Sequence, residues 1–297
     1  MIVAGGGTGT PKLLLGLKDL LPEEDLSAVV NTAEDLWISG NLVSPDLDTV
    51  LYTLAGIVDE ERWWGMRDDS FVTHDLLEAL GRPEMLSLGD RDRAVHIFRS
   101  ELLRQGLTLS AATERLAAAL GVRQRVVPMT DDAVSTMIRT PEGEMHFQEF
   151  WVCRRGQPQV MAVRFSGIER ARPSPGFIDL LDREEVVVLG PSNPVTSIGP
   201  ILALPGVRER LKDKLVVAVS PLVYDRPVSG PAARFMQACG VPTSDEGVRM
   251  LLGDPDIFVV DRRSSYTGEC IRLDTLMRDE EDSIRLARGL LELISCS

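Results

Sequence analysis

Residues 1–17, MIVAGGGTGTPKLLLGL, constrain the fold more than any other stretch of this chain. Ile2 to Ala4 is a short apolar run that ends directly in glycine, the pattern of a strand buried on both faces of a parallel sheet. Behind the glycines, Pro11 suits the first turn of a helix, and Leu13, Leu14, Leu17, Leu20 and Leu21 recur at helical spacing. Strand, glycine-rich turn and amphipathic helix make the first unit of a doubly wound sheet, where ligands bind beyond the carboxyl ends of the strands. Gly5, Gly6, Gly7 and Gly9 would let backbone N–H groups approach a phosphate, with the helix dipole favouring its charge. Two familiar nucleotide loops are excluded by spacing. GxGxxG needs glycine at position 10, where Thr10 stands, and in GxxxxGK[ST] the lysine follows glycine, whereas Lys12 follows Pro11. The segment therefore reads as a phosphate cradle of another kind, and an NAD-type oxidoreductase is disfavoured. Its plain alternative is an ordinary strand-to-helix turn.

The α/β rhythm continues. LSAVVNT (26–32) reads as a second strand and TVLYTLAGIVDE as a helix starting near Thr49. Residues 71–120 look mostly helical, with TLSAATERLAAALG the clearest case and Gly121 as its stop. From 122 to 167 the pattern changes to alternating, turn-linked runs, RQRVVPM, VSTMIRT, EMHFQEFWV and QVMAVRFSG, expected as a β-rich insertion or antiparallel extension. EEVVVLG, KLVVAVS and PDIFVVD then restore buried strands, and DEEDSIRLARGLLELI closes as a helix. The expected fold class is α/β: a doubly wound, mostly parallel, Rossmann-like sheet with a β-rich and helical insertion in mid-chain. One α/β domain over residues 1–297 is expected, with 65–170 as a subdomain carrying part of an acceptor site.

Bulk properties narrow the function. With a net charge of −13 the chain offers no basic surface to replace phosphate counterions, so nucleic acid is not an expected partner. No run of about 18 apolar residues appears, so no membrane span or signal peptide is expected. Cys153, Cys239, Cys270 and Cys296 lack CxxC spacing and read as buried free thiols in a cytoplasmic, reducing setting.

Four constellations carry possible chemistry. In NTAEDLWISGNLVSPDLDT, Asn31, Glu34 and Asp35 follow a strand end, and Asp46 and Asp48 precede the expected helix. The two aspartates are either helix caps or ligands of a cation. Acidic groups beside a phosphate cradle repel a phosphorylated ligand unless a hard cation such as Mg²⁺ lies between them. In LGDRDRA, Asp90, Arg91, Asp92 and Arg93 alternate in sign: a self-paired surface cluster, or an arginine clamp for phosphate. In LGPSNPVTSIGPI a buried strand opens into Asn193, Thr196, Ser197 and Gly199, a second anion- or base-binding surface. SPLVYDRPVSGPA repeats that pattern with Ser220, Ser229 and Gly230 as donors. His74, His96 and His146 are too dispersed for a metal triad and read as surface or satisfied core residues. Of the adjacent Trp63 and Trp64, one is expected in the core, the other free to flank an aromatic ligand.

GGGTGTPKLL, VVNTAEDLW, SPDLDTVLY, RWWG, LGDRDRA, MTDDAVST, HFQEFWV, GPSNPVTSIGPI, VAVSPLV, VSGPAARFM and DTLM, in this order, together resemble the 2-phospho-L-lactate transferase family of coenzyme F420 biosynthesis. The set spans residues 5–277, nearly the whole chain. The resemblance implies a guanosine diphosphate ester donor, such as lactyl-2-diphospho-5′-guanosine, and the deazaflavin Fo as acceptor. It implies release of GMP, a requirement for Mg²⁺ and a homodimer. Gly6, Gly7, Thr8, Gly9, Thr10, Lys12 and Asn31 would hold the donor phosphates, and Asn193, Thr196, Ser197 and Gly199 its nucleotide. Asp48 matches the aspartate that contacts Fo, and with Asp46 it is the candidate for metal binding or hydroxyl orientation. Ser87 stands where the family usually has a basic Fo contact, which Arg91 or Arg93 would replace; Asp90 and Trp64 complete the acceptor side. The donor acid stays open among lactate, enolpyruvate and glycerate. A related nucleotide-sugar-binding regulatory module without turnover is the rival reading.

Overall fold

The structure, a computed structural model, describes residues 1–228 and 231–296. Its fourteen strands are β1 (Ile2–Gly5), β2 (Ser27–Val30), β3 (Leu36–Ile38), β4 (Asn41–Val43), β5 (Arg125–Pro128), β6 (Ser135–Thr140), β7 (Gly143–His146), β8 (Ala162–Ser166), β9 (Val186–Leu189), β10 (Leu215–Val219), β11 (Leu222–Val223), β12 (Arg226–Pro227), β13 (Ile257–Asp261) and β14 (Ile271–Leu273). The helices are α1 (Gly9–Lys18), α2 (Pro45–Leu54), α3 (Val72–Ala79), α4 (Asp90–Arg104), α5 (Leu109–Ala119), α6 (Pro175–Arg183), α7 (Gly199–Ala203), α8 (Val207–Leu211), α9 (Ala232–Ala238), α10 (Asp245–Leu252) and α11 (Glu280–Ser295).

Seven strands form one sheet in the order β14-β13-β10-β9-β1-β2-β5, parallel at every pairing. Burial on both faces explains the near-continuous Val, Ile and Ala of its strands. Alternate residues feed two cores. Ile2, Ala4, Val187, Leu189 and Ala218 pack with residues of α6 to α10, while Val3, Val188, Val217 and Val219 pack with α1, α2, α4, α5 and α11. The fold is thus the α/β, Rossmann-like architecture, and the order of its strands reverses between β1 and β9. No helix among the described residues is long and apolar enough to cross a membrane.

Two expectations change in detail. RQRVVPM contributes β5, the parallel edge strand of the main sheet, so residues 65–170 supply a main-sheet strand as well as a separate antiparallel sheet of order β7-β6-β8. A local alternation does not reveal which neighbour a strand will find. EMHFQEFWV does not continue as a strand past His146; Glu149–Cys153 forms a single π-helical turn. The cysteines are free, as expected, but not buried. Cys153, Cys239 and Cys296 are exposed at helix ends, and Cys270 is half-buried just before β14.

Candidate functional site

A cavity of about 530 Å³ opens beyond the carboxyl ends of β1 and β9, where the strand order reverses. Its floor is made by Gly7, Thr8, Gly9 and Lys12 after β1 and by Pro191, Ser192, Asn193, Thr196 and Ser197 after β9. Buried Ser192 locks these two segments together: its hydroxyl accepts from the Thr10 amide at 2.9 Å and donates to the Gly6 carbonyl. The glycines serve this packing first. A Cβ on Gly6 would collide with the Asp46 carboxylate, and one on Gly9 with the Pro191 carbonyl. Gly6, Thr10, Asn31 and Gly199 stand behind the wall rather than on it. Asn31 donates to Asp46 at 2.9 Å and to the Thr196 carbonyl at 3.3 Å. Ser229 and Gly230 lie outside the described residues.

α2 begins at Pro45, four residues before the expected Thr49, because Pro45 presets the helical φ after Ser44. Asp46 and Asp48 consequently occupy the first turn of α2 rather than preceding it, and of the two only Asp48 reaches back to the helix start, accepting from the Ser44 amide at 3.4 Å. Asp46 turns toward the glycine loop, where the Gly7 amide donates to its Oδ1 at 2.8 Å. Glu34, after β2, lines the same wall, and Gln148 reaches it at 3.5 Å. Burial pushes the Glu34 carboxyl well above the usual carboxylate range, and the nearby Asp46 adds to this; burial also raises Asp46. Neither makes an ion pair among the described residues. Lys12 is the cation beside the loop; its ammonium lies 4.8 Å from the Trp63 ring centre and donates to the Met277 carbonyl at 3.1 Å.

Asp48 has a different environment. Arg99, fully buried, donates to both of its oxygens, and His96 Nε2 lies 3.2 Å from Oδ2. Burial would raise the Asp48 carboxyl, but Arg99 and His96 outweigh it and hold it at about 2. Burial would lower His96, but Asp48 and Asp92 outweigh it and lift the imidazole to about 9. Asp48, Asp92 and His96 also form the one acid–histidine cluster with metal-ligand spacing found among the described residues. The imidazolium and guanidinium already supply its counter-charge.

The acceptor-side expectations divide. Ser87 and Trp64 line the cavity, Trp64 being 43% exposed, while Trp63 is in the core. Asp90, Arg91 and Arg93 are not among its lining residues. Asp90 accepts from the Val72 and Thr73 amides and so caps α3; Arg93 makes a two-pronged pair with Glu84; Arg91 donates to the Arg67 carbonyl. The alternating charges are spent on anchoring α4 to its neighbours. Its deeper members, Asp92 and His96, are the ones that reach the cavity.

A family model described as 2-phospho-L-lactate transferase CofD matches residues 1–284. The chain belongs to this family. Among its relatives, the 2-phospho-L-lactate transferase of Methanosarcina mazei is 51% identical over 98% of this chain and 99% of that one. That of Methanopyrus kandleri is 50% identical over 99% and 97%. Protein BH3568 from Bacillus halodurans shares the fold at a TM-score of 0.57, with 19% identity over 90% of this chain and 81% of that one. Membership of the CofD family makes the chain a transferase by kind. In this member, sequence reasoning missed His96, Arg99 and Trp151. Trp151, 41% exposed, rides on the π-helical turn and lines the cavity with Val152 and Phe147.

Proposed function

We propose that this protein acts in coenzyme F420 biosynthesis, transferring a 2-phospholactyl unit, or a closely related phosphoacyl unit, from lactyl-2-diphospho-5′-guanosine to Fo. The Fo hydroxyl oxygen bonds to the phosphorus that carries the acid, the bond from that phosphorus to the bridging oxygen breaks, and GMP leaves with the bridging oxygen on its phosphate, the hydroxyl proton passing to that phosphate or to water, giving coenzyme F420-0. The observation that carries the reading, beside family membership, is a cavity at the strand-order reversal that joins a phosphate-type loop to two aspartates of one helix turn, one paired with cationic side chains and one not. Such transfer depends on positioning and charge neutralisation rather than on covalent chemistry by the protein.

The donor diphosphate would lie against Thr8, Gly9 and Lys12, its nucleotide against Asn193, Thr196 and Ser197. The amides of Thr8 and Gly9, at the start of α1, have no protein acceptor among the described residues, which suits an anion there. A divalent cation fits Asp46 and Glu34, two wall carboxylates without a cationic partner, better than Asp48, whose charge Arg99 and His96 already balance. Bound Mg²⁺ would neutralise the phosphate oxygens and make donor binding beside these carboxylates favourable. Asp48, held at about 2, is too weak a base to remove a hydroxyl proton before transfer and instead orients the Fo hydroxyl. Trp64 and Trp151 offer apolar surface to the deazaflavin ring.

The test is incubation with Fo, Mg²⁺ and each candidate donor, with mass spectrometry of the products. Coenzyme F420-0 together with GMP released only when Fo is present is the expected result. GMP without Fo, or an intact donor in the full mixture, would refute transfer; an intact but bound donor would favour the regulatory nucleotide-binding reading.

A further inference from the structure

α2 and α4 face each other through a buried polar seam. α4 contributes Asp92, His96, Arg99 and Ser100, whose spacing of four, three and one puts them on one face. α2 contributes Asp48 and Tyr52, one turn apart. The contacts are ordered along the seam. Tyr52 donates its hydroxyl to Asp92 Oδ1 at 2.7 Å. His96 Nε2 lies 3.1 Å from the same oxygen and 3.2 Å from Asp48 Oδ2. Arg99 grips Asp48 from the far side, and its Nη1 also donates to the Leu42 carbonyl at 3.2 Å. The Ser100 hydroxyl donates to the His96 carbonyl at 2.7 Å and accepts from the Leu42 amide at 2.7 Å, tying the same turn of α4 to β4. Only three members, Asp48, Asp92 and His96, reach the cavity wall.

We propose that His96 is a positioning residue for the acceptor: bridging Asp92 and Asp48 across the two helices, it fixes the Asp48 carboxylate in the orientation that receives an acceptor hydroxyl. Arg99 alone leaves this undetermined. A guanidinium pair on both oxygens sets the plane of the carboxylate, but the charge on its cavity side is set by what stands next to Oδ2. Around Oδ2 stand Arg99 Nη1 at 3.1 Å, the Ser44 amide at 3.4 Å and His96 Nε2 at 3.2 Å, and of these three His96 is the one that lines the cavity, itself 1% exposed and kept in place by Asp92 and, through Asp92, by Tyr52. A misplacement of the order of 1 Å at such a carboxylate is costly, about 10²-fold in rate. The inference rests on the functional reading above, in which Asp48 meets the hydroxyl of Fo.

The experiment compares His96→Leu and His96→Gln with wild type in the transfer reaction, varying Fo and the guanosine donor separately. His96→Leu is expected to lower kcat or raise KM for Fo by roughly 10- to 10²-fold, with KM for the donor within about twofold of wild type. His96→Gln, which restores a donor near Nε2, is expected to recover most of the loss. Acceptor parameters unchanged in His96→Leu would overturn the proposal. So would donor and acceptor parameters worsening together, the mark of a merely loosened helix interface. If His96→Leu does not fold, Asp92→Asn keeps the shape of the seam and must show the same one-sided effect on Fo; an even-handed effect overturns the proposal. The wild type is assayed first. No product from it refutes the functional reading and this inference with it, whereas an active wild type with an unaffected His96 variant refutes this inference alone.

Discussion

Asp46 and Asp48 stand two residues apart on the first turn of α2, both buried, both on the cavity wall, and they end in opposite electrostatic states. Asp46 looks toward the glycine loop. It takes hydrogen bonds from neutral groups, the Gly7 amide and the Asn31 side chain, and meets another carboxyl, Glu34. No cationic side chain pairs with it among the described residues. Asp48 looks toward α4, takes Arg99 and His96, and is neutralised inside the protein. A helix turn of 100° per residue is enough to send neighbouring carboxylates into these two environments. On the proposed reading the donor wall awaits a cation, while the acceptor wall already holds its own counter-charges. Catalysis by positioning would suit this arrangement, since the carboxylate proposed to orient the hydroxyl is held by protein groups alone.

Removing the internal counter-ion should have the largest consequence. Arg99→Leu leaves Asp48 buried with one partner fewer and is expected to cost about 3–5 kcal/mol, read by calorimetric or denaturant unfolding. A loss under about 1 kcal/mol would mean that the acceptor wall does not depend on its own cation. Asp48→Asn strips the buried Arg99 and His96 of their shared carboxylate, so it is expected to cost a similar amount, about 3–5 kcal/mol, and, in the protein that folds, to drop turnover by roughly 10²-fold. Asp46→Asn should instead raise the Mg²⁺ concentration for half-maximal rate by at least about tenfold. Similar phenotypes for the two variants, in metal titrations at saturating substrates, would erase the distinction drawn between them.

Smaller effects sharpen the same contrast. Gly9→Ala forces a Cβ against the Pro191 carbonyl, a backbone atom that has little room to move, and should destabilise by about 1–3 kcal/mol. A thermal melt matching wild type would show that the two loop segments are less tightly locked than Ser192 suggests. Last is pH. His96 is lifted from an ordinary 6.5 to about 9, so its charge stabilises the fold fully below 6.5 and that contribution fades as pH rises through about 9. Asp48 is depressed from 3.8 to about 2, so its contribution is complete above 3.8 and is lost as pH falls through about 2. Between pH 7 and 9.5 the melting temperature should fall by roughly 2–4 °C, and His96→Gln should lack that component.

Much of this was legible in the residues themselves. A glycine run directly after Ile2–Ala4 and before an amphipathic helix placed a ligand loop at the head of a parallel sheet, because strand and helix periodicities are local properties of the chain. Asp46, Asp48, Asn193, Thr196 and Ser197, singled out for their polarity near strand ends, do line the cavity. The charges of LGDRDRA were not correctly apportioned. Arg93 goes to Glu84, nine residues away, and Asp90 to the start of α3, while the dismissed His96 reaches the cavity. The glycines likewise turn out to make room for Asp46 and the Pro191 carbonyl before they make room for any phosphate.

The residues alone indicated the inner strands β1, β2, β9, β10 and β13, their two-sided burial and the position of the loop, because these follow from the spacing of apolar residues and glycines over a few turns, but not the edge strands β5 and β14. Only the tertiary structure decided which charges are balanced. The partner of Asp48 lies 51 residues along the chain, on a helix whose register against α2 is set by packing across a whole face of the sheet. Coulomb pairing depends on distance in space, which residue spacing does not encode.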